Sequence, residues 1–258
     1  MPSPLIDTHA HLSDPAFIID LAAVLEQAQA AGVEKIIAVG ETIEDARRNL
    51  ELAEQYSMIL PAAGLYPTVL DLLQAEQMEA FIRENAHRLV AIGEVGMDYW
   101  KVQEEEERYL QRSIFNYMID LAIELDLPLN VHSRSAGRAV IEMLLDKGAR
   151  RVQLHAFDGR VSSALPAVDA GWFFSIPPSA LRSEQKRKLV KKLPLECLLL
   201  ESDSPALGPQ PGQRNTPANI TIALQAISEI KNKSVMELRE ILWNNSLNLY
   251  KGRLAIND

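Results

Sequence analysis

The sequence predicts a (β/α)8 TIM barrel, an α/β fold built as a single domain over residues 1–258. Three observations predict it. Short apolar runs alternate eight times with longer stretches of helical periodicity. The 258 residues divide into about 32 per unit, close to the roughly 30 of a βαβ repeat. No G-x-G-x-x-G or phosphate loop follows the first run, where an open nucleotide-binding sheet usually carries one. Near-continuous apolar strands suit a parallel sheet covered by helices, and such barrels have about 250 residues. A doubly wound open sheet is the competing reading.

The units follow in order along the chain. LIDTHAH opens the first, before a helix over 15–31. KIIAVG at 35–40 precedes 42–56, and ILPAAGL at 59–65 precedes about 71–87. LVAIGEVG at 89–96 leads to 104–125, LPLNVHS at 127–133 to 136–147, and RVQLHAF at 151–157 to 161–170. WFFSIPP at 172–178 precedes a charged helix at 182–192, and CLLLESD at 197–203 precedes 217–230, with one more helix at 234–250. The Pro/Gly-rich stretch PALGPQPGQRNTP at 205–217 reads as a local loop and not as a linker.

Composition narrows the function. Hydrophobic residues at 47% and charged residues at 24% are those of an ordinary globular protein. Apolar runs such as Leu198–Leu200 and Leu89–Ile92 fall far short of the roughly 20 residues that span a membrane, so no membrane partner is expected. The opening MPSPLIDTHAHL lacks the basic and long apolar regions of a secretory signal, so a cytoplasmic location is expected. The one cysteine, Cys197, excludes internal disulfides and cysteine-rich zinc sites. A net charge of −9 argues against a protein that coats nucleic acid with bulk positive charge, but leaves room for a site that grips one phosphate.

Active sites of TIM barrels lie at the C-terminal ends of the strands, and four of the five histidines fall there. His9 and His11 close the first strand, where residues two apart face the same way. Glu94 ends the fourth strand, His132 the fifth, His155 the sixth and Asp203 the eighth. Packing alone does not explain so many polar groups on one rim, because each buried one needs a partner. His87, at a helix end, reads as structural. Four imidazoles and two carboxylates are enough for two divalent ions, with Zn2+, Mn2+, Co2+ or Fe2+ favoured over Ca2+, and Mg2+ allowed if waters complete its shell. Two such ions lower the pKa of a shared water. Glu94 is the candidate bridge, and Asp203 the candidate acceptor of that water's proton, which makes these two the candidate catalytic residues.

At these residues the chain resembles the TatD family of metal-dependent deoxyribonucleases, within the amidohydrolase-like barrels. The segments that carry the likeness are IDTHAHL at 6–12, AIGEVGMDY at 91–99, LPLNVHSRSAGR at 127–138, LHAFDGR at 154–160, FFSIPPS at 173–179, LLLESDSPALGP at 198–209 and RNTP at 214–217. VHSRSAGR, HAFDGR and SIPPS look closest to the branch called TatD DNase domain containing 3. The resemblance implies one metal among His9, His11, Glu94 and Asp203, with Glu94 shared by a second ion that His132 and His155 complete. It also implies DNA as substrate, often cleaved from 3′ to 5′. Asp98 and Tyr99, in GMDY, then hold a ligand or line the substrate groove, or are ordinary loop residues. Arg134 meets a phosphate or forms a salt bridge on the rim. Glu201, two before Asp203 and expected to point the same way, orients a ligand or pairs with a base. Arg214, in the loop at the groove's edge, touches substrate. One departure stands out. Where the family has G-x-H-P, this chain has GLYP, placing Tyr66 where the family has a histidine. A phenol can hydrogen-bond a phosphate oxygen but is no cation near pH 7.

The expected function is therefore a two-metal DNA phosphodiesterase, a 3′-to-5′ exonuclease acting as a monomer on single-stranded DNA or frayed ends. The alternatives are a lactonase, deacetylase or amidohydrolase using the same binuclear site, and a metal-binding scaffold or nucleic-acid-binding protein without turnover.

Overall fold

The computed structural model describes residues 2–254. Eight strands run β1 (Leu5–Ala10), β2 (Val33–Ala38), β3 (Ile59–Ala63), β4 (Ala91–Gly96), β5 (Leu129–His132), β6 (Val152–Leu154), β7 (Phe173–Ile176) and β8 (Leu198–Leu200). They pair in sequence order, all parallel. Between β8 and β1 the turn after β8 closes the ring: the His11 amide donates to the Ser204 carbonyl at 2.8 Å and the Asp203 amide to the His9 carbonyl at 2.9 Å. The TIM-barrel expectation holds. Among the described residues no helix is long and apolar enough to cross a membrane.

The helices are α1 (Leu21–Ala30), α2 (Ile43–Gln55), α3 (Leu72–Asn85), α4 (Glu105–Glu124), α5 (Gly137–Asp146), α6 (Val161–Asp169), α7 (Glu184–Lys192), α8 (Ile220–Lys231) and α9 (Val235–Leu249). Their starts are written in side chains. The Thr42 hydroxyl and the Asp45 carboxylate form a capping box on α2, Asp71 accepts from two amides of α3, and Ser183 and Ser234 cap α7 and α9. One expected helix differs. The span 15–31 breaks into a 3-10 turn at Pro15–Phe17 and a helix that begins only at Leu21. Asp14 caps the short turn and Pro15 sets its first φ, so the chain starts a helix, stops, and starts again.

Two apolar layers hold the barrel. Between strands and helices pack Leu5, Ile36, Ile92, Val131, Phe174 and Trp172, each at most 1% exposed. Each fully buried aliphatic or aromatic side chain contributes about 1.5–3 kcal/mol. Inside, at the N-terminal end, Ile6, Ile37, Leu60 and Leu199 meet Leu249, Tyr250 and Leu254 from the end of α9, which plug that end. Above the plug lies a polar layer: the Tyr250 hydroxyl donates to the Gln153 side-chain oxygen, Oε1, and Gln153 Nε2 donates to the Thr8 and Ser175 hydroxyls. With the lower end filled, the upper end is left for chemistry.

Candidate metal centre

The upper rim carries a cavity of about 390 Å3 lined by His11, Glu41, Tyr66, Glu94, His132, Arg134, His155, Lys186 and Asp203, among others. A larger hollow of about 660 Å3 at the opposite end, around Leu25, Glu34 and Met58, gathers no histidine and lies where barrels place stability and not catalysis.

Glu94 stands at the centre. His9 Nε2 and His11 Nε2 lie 3.2 Å apart, and each lies 3.3–3.8 Å from Glu94 Oε2 and Asp203 Oδ1. A tetrahedral ion with bonds of about 2.0–2.1 Å keeps its ligand atoms about 3.3 Å apart, so these four donors fit one. On the other side, Glu94 Oε1 lies 2.6 Å from His132 Nδ1 and 2.8 Å from His155 Nε2, which are 3.1 Å from each other. Three overlapping sets of donors that can hold an ion result: His9, Glu94 and His155; His9, His11 and Asp203; His11, Glu41 and Glu94. Among the described residues, Glu94 Oε2 is buried without a hydrogen-bond partner, as is His155 Nδ1. A buried carboxylate oxygen with no partner is costly, and a cation at that point removes the cost.

The donors are held from behind. The His9 Nδ1–H donates to Asn130 Oδ1 at 2.8 Å, and the Asn130 amide donates to the Thr8 carbonyl at 2.9 Å, which fixes the amide's orientation and turns His9 Nε2 to the cluster. His132 Nε2 lies 3.2 Å from Asp98 Oδ2, and the other Asp98 oxygen accepts from the Trp100 and Lys101 amides. The carboxylate of Asp7 accepts from the Ser202 amide at 2.8 Å, tying β1 to the turn that carries Asp203.

Electrostatics follow from burial and proximity. Burial drives His9 down to about 3, helped by the neighbouring His155 imidazole. For His11 and His132 burial works in the same direction, but carboxylates outweigh it: Asp203 and Glu94 take His11 up to about 9, and Glu94 and Asp98 take His132 up to about 10. Burial alone would raise Glu94, yet His155 and His132 hold it well below the usual carboxylate range. A bound metal ion would take the place of these imidazole protons, because ligation needs the neutral ring.

Backbone strain marks the same rim. Ser135, Ala156 and Asp203, each within three residues of a strand end carrying the cluster, have φ of +55°, +41° and +52°. A left-handed conformation costs a non-glycine residue about 1–2 kcal/mol, least for aspartate, and such outliers gather at functional sites.

The six donors expected from sequence come together. Tyr66 lines the cavity, its ring 5.3 Å from that of His132, and burial and the nearby Glu94 push its phenol above the usual range, so it stays a neutral hydroxyl. Arg134 lies over the Trp100 ring at 3.8 Å on the cavity's edge. Asp98 is fully buried behind His132 and not in the groove. Arg214 is not brought to the cluster: its guanidinium is held by both oxygens of Asp20 and by the Ala16 carbonyl, in an adjoining groove. Glu201 and Asp203 do not point together. The strand ends at Leu200, and the left-handed turn at Asp203 breaks the alternation. Asp203 faces His9 and His11, while Glu201 accepts from the Ala156 amide and the Ser175 hydroxyl and lies 3.7 Å from His155 Nδ1, on the side of that ring away from Glu94, where the expected role of orienting a ligand would place it. Sequence reasoning missed Asn130, Asp7, Glu41 and Lys186. Asn130 sits two before His132 on β5, so strand alternation was a usable signal for it.

A nearly closed parallel barrel whose C-terminal rim gathers His9, His11, His132 and His155 about Glu94 and Asp203 has the architecture of a metal-dependent hydrolase. Known proteins agree. Residues 6–251 match the family described as TatD related DNase. The human protein named Deoxyribonuclease TATDN3 is 44% identical over 258 residues, covering 95% of this chain and 94% of that one. YabD of Bacillus subtilis (strain 168), named an uncharacterized metal-dependent hydrolase, is 34% identical over 96% of this chain and 99% of its own. The crystal structure of YjjV, a TatD homologue from Escherichia coli, superposes with a TM-score of 0.88 at 30% identity, over 95% of this chain and 97% of the other. The chain belongs to the TatD related DNase family.

Proposed function

We propose that the protein hydrolyses phosphodiester bonds of DNA with two divalent ions, one held by His9, His11, Glu94 and Asp203 and one by Glu94, His132 and His155. The observation that carries this is Glu94: one buried carboxylate offers Oε2 to the first set of donors and Oε1 to the second. When bound, the ions supply Lewis acidity, which acidifies a water and neutralises charge on phosphoryl oxygens. Everything else is the chain's work. Glu94 fixes the spacing of the two halves, Asn130 and Asp98 keep the imidazoles aimed, and Asp203 accepts the proton of the attacking water. The Tyr66 hydroxyl donates to a phosphate oxygen without adding charge.

The rim suits an unpaired strand. Trp100 is 52% exposed beside the cavity, with the Arg134 guanidinium over its ring and the Lys101 ammonium 5.0 Å from its centre. An exposed aromatic flanked by cations is a stacking platform for a base, and stacking of this kind tolerates any sequence. Single-stranded DNA or frayed ends are therefore the substrate of this reading. The 3′-to-5′ direction rests on the family resemblance. The lone thiol of the sequence, the buried Cys197, is in keeping with a reducing cytosol.

The test is cleavage of end-labelled single- and double-stranded DNA by metal-stripped protein refilled with Mg2+, Mn2+, Co2+ or Zn2+, with Glu94→Ala alongside. The expected result is a ladder shortened from the 3′ end with wild type and none with the variant. Metal-loaded wild type that leaves DNA intact but opens lactones overturns this reading in favour of a small-molecule hydrolase.

A further inference from the structure

We propose that Lys186 is the phosphate-binding cation of this site, its ammonium meeting a non-bridging oxygen of the scissile phosphodiester; this rests on the DNA-hydrolysis reading above. Lys186 is 8% exposed, yet its side chain lines the same cavity as His11, Glu94, His132, His155 and Asp203. Among the described residues its ammonium has one hydrogen-bond acceptor, the Ala156 carbonyl at 2.8 Å, and no carboxylate within ion-pair distance. An ammonium carries three donors, so two are left for whatever enters the cavity. A buried ammonium with unmet donors is costly to a fold.

Helix physics does not ask for a cation there. Lys186 is the third residue of α7, and its amide donates to the capping Ser183 hydroxyl. The first turn of a helix favours anions and disfavours cations. Burial brings the Lys186 ammonium below its ordinary value, and the carboxylates of Glu201, Asp158 and Asp203 offset only part of that. An incoming phosphate supplies oxygens that accept from the two remaining donors of the ammonium, which the surrounding carboxylates do not reach. A lysine meets it as a point charge, without the planar fork that an arginine would impose.

The rival role is support. Ala156, in its left-handed conformation next to His155, is pinned through its amide by Glu201 and through its carbonyl by Lys186. Two variants separate the roles. In Lys186→Gln the amide can still donate to the Ala156 carbonyl but the charge is gone, whereas Lys186→Met loses both. The measurement is the binding of inorganic phosphate to the Mn2+-loaded protein by calorimetry, with metal content and melting temperature recorded for each variant, and KM and kcat on a single-stranded oligonucleotide. We expect both variants to keep their metal, and phosphate affinity and 1/KM to fall at least tenfold in each, the range of a hydrogen bond to a charged group. Undiminished phosphate affinity in Lys186→Gln overturns the proposal. So does loss of metal from Lys186→Met with normal phosphate binding in Lys186→Gln, which assigns the residue to support. Because phosphate binding needs no turnover, failure of wild type to cleave DNA refutes the nuclease reading separately.

Discussion

Two oxygens of a single carboxylate, Glu94, organise the site, and the residues behind the donors decide how firmly it is organised. Asn130 touches no ion in this account, but its hydrogen bond sets the tautomer and aim of His9. Asn130→Ala should leave the barrel folded and weaken binding at the His9 side by about 10–100-fold, as loss of such outer partners typically does; a competition titration with a chromogenic chelator reads it. Asp7 offers a pH signature. Burial pushes its carboxyl up to about 8 against hydrogen bonds that favour the anion, and one of its oxygens has no partner among the described residues. With the folded value above the unfolded one, the folded state binds the extra proton, so the stability that Asp7 contributes is full below about 4 and is lost as pH rises through about 8. The metal-free Asp7→Asn variant, which has no proton to lose, should therefore gain melting temperature relative to wild type progressively from pH 4 to pH 8. A constant difference across that window contradicts the assignment.

At the scale of elements, what the sequence made legible was the alternation of strand and helix and the placing of histidines at strand ends. Both are periodic signals, and both survive in the structure. What escaped depends on turns. Helix α1 starts at Leu21 because Pro15 and Asp14 favour a separate 3-10 turn, and a periodicity that runs through 15–31 does not register that break. Glu201 and Asp203 part company because the strand stops at Leu200, and strand alternation does not carry into the turn that follows. Lys186 lay hidden in a charged helix whose face toward the cavity only the packing reveals. Asn130 was within reach of alternation, but an asparagine does not announce itself as a ligand's partner. The strand pair β4–β5 yields an element-scale prediction. Gly96 sits opposite His132 with φ +142°, and a Cβ there would press on the His132 carbonyl. Gly96→Ala should force β5 away from β4, costing about 2–4 kcal/mol in chemical denaturation and weakening the ion site that His132 serves. A variant with wild-type stability and metal content contradicts this account of the register.

Across the whole molecule, the cluster stitches β1, β4, β5 and β6 to the turn after β8, so the ions are expected to fasten the barrel's upper end much as α9 plugs the lower. An ion that binds only the folded state at 100 times its Kd adds about 2.7 kcal/mol. In a chain of this size each kcal/mol moves the melting temperature by about 2–4 °C. Chelation should then lower it by at least 5 °C, roughly, and refilling should restore it, with Glu94→Ala insensitive to both. The cavity is itself lined by more carboxylates than cations, Asp14, Glu41, Glu94, Asp158 and Asp203 against Arg134 and Lys186, so in this reading an anionic substrate needs the charge of the bound ions as well as those two cations. The central claim is that six side chains on this rim hold two ions about the one carboxylate. It is tested most directly by anomalous scattering from crystals of the metal-refilled protein. The account predicts two peaks, one bounded by His9, His11, Glu94 and Asp203 and the other by Glu94, His132 and His155. A single peak that leaves one half of the cluster empty at saturating metal, or peaks elsewhere on the molecule, contradicts it.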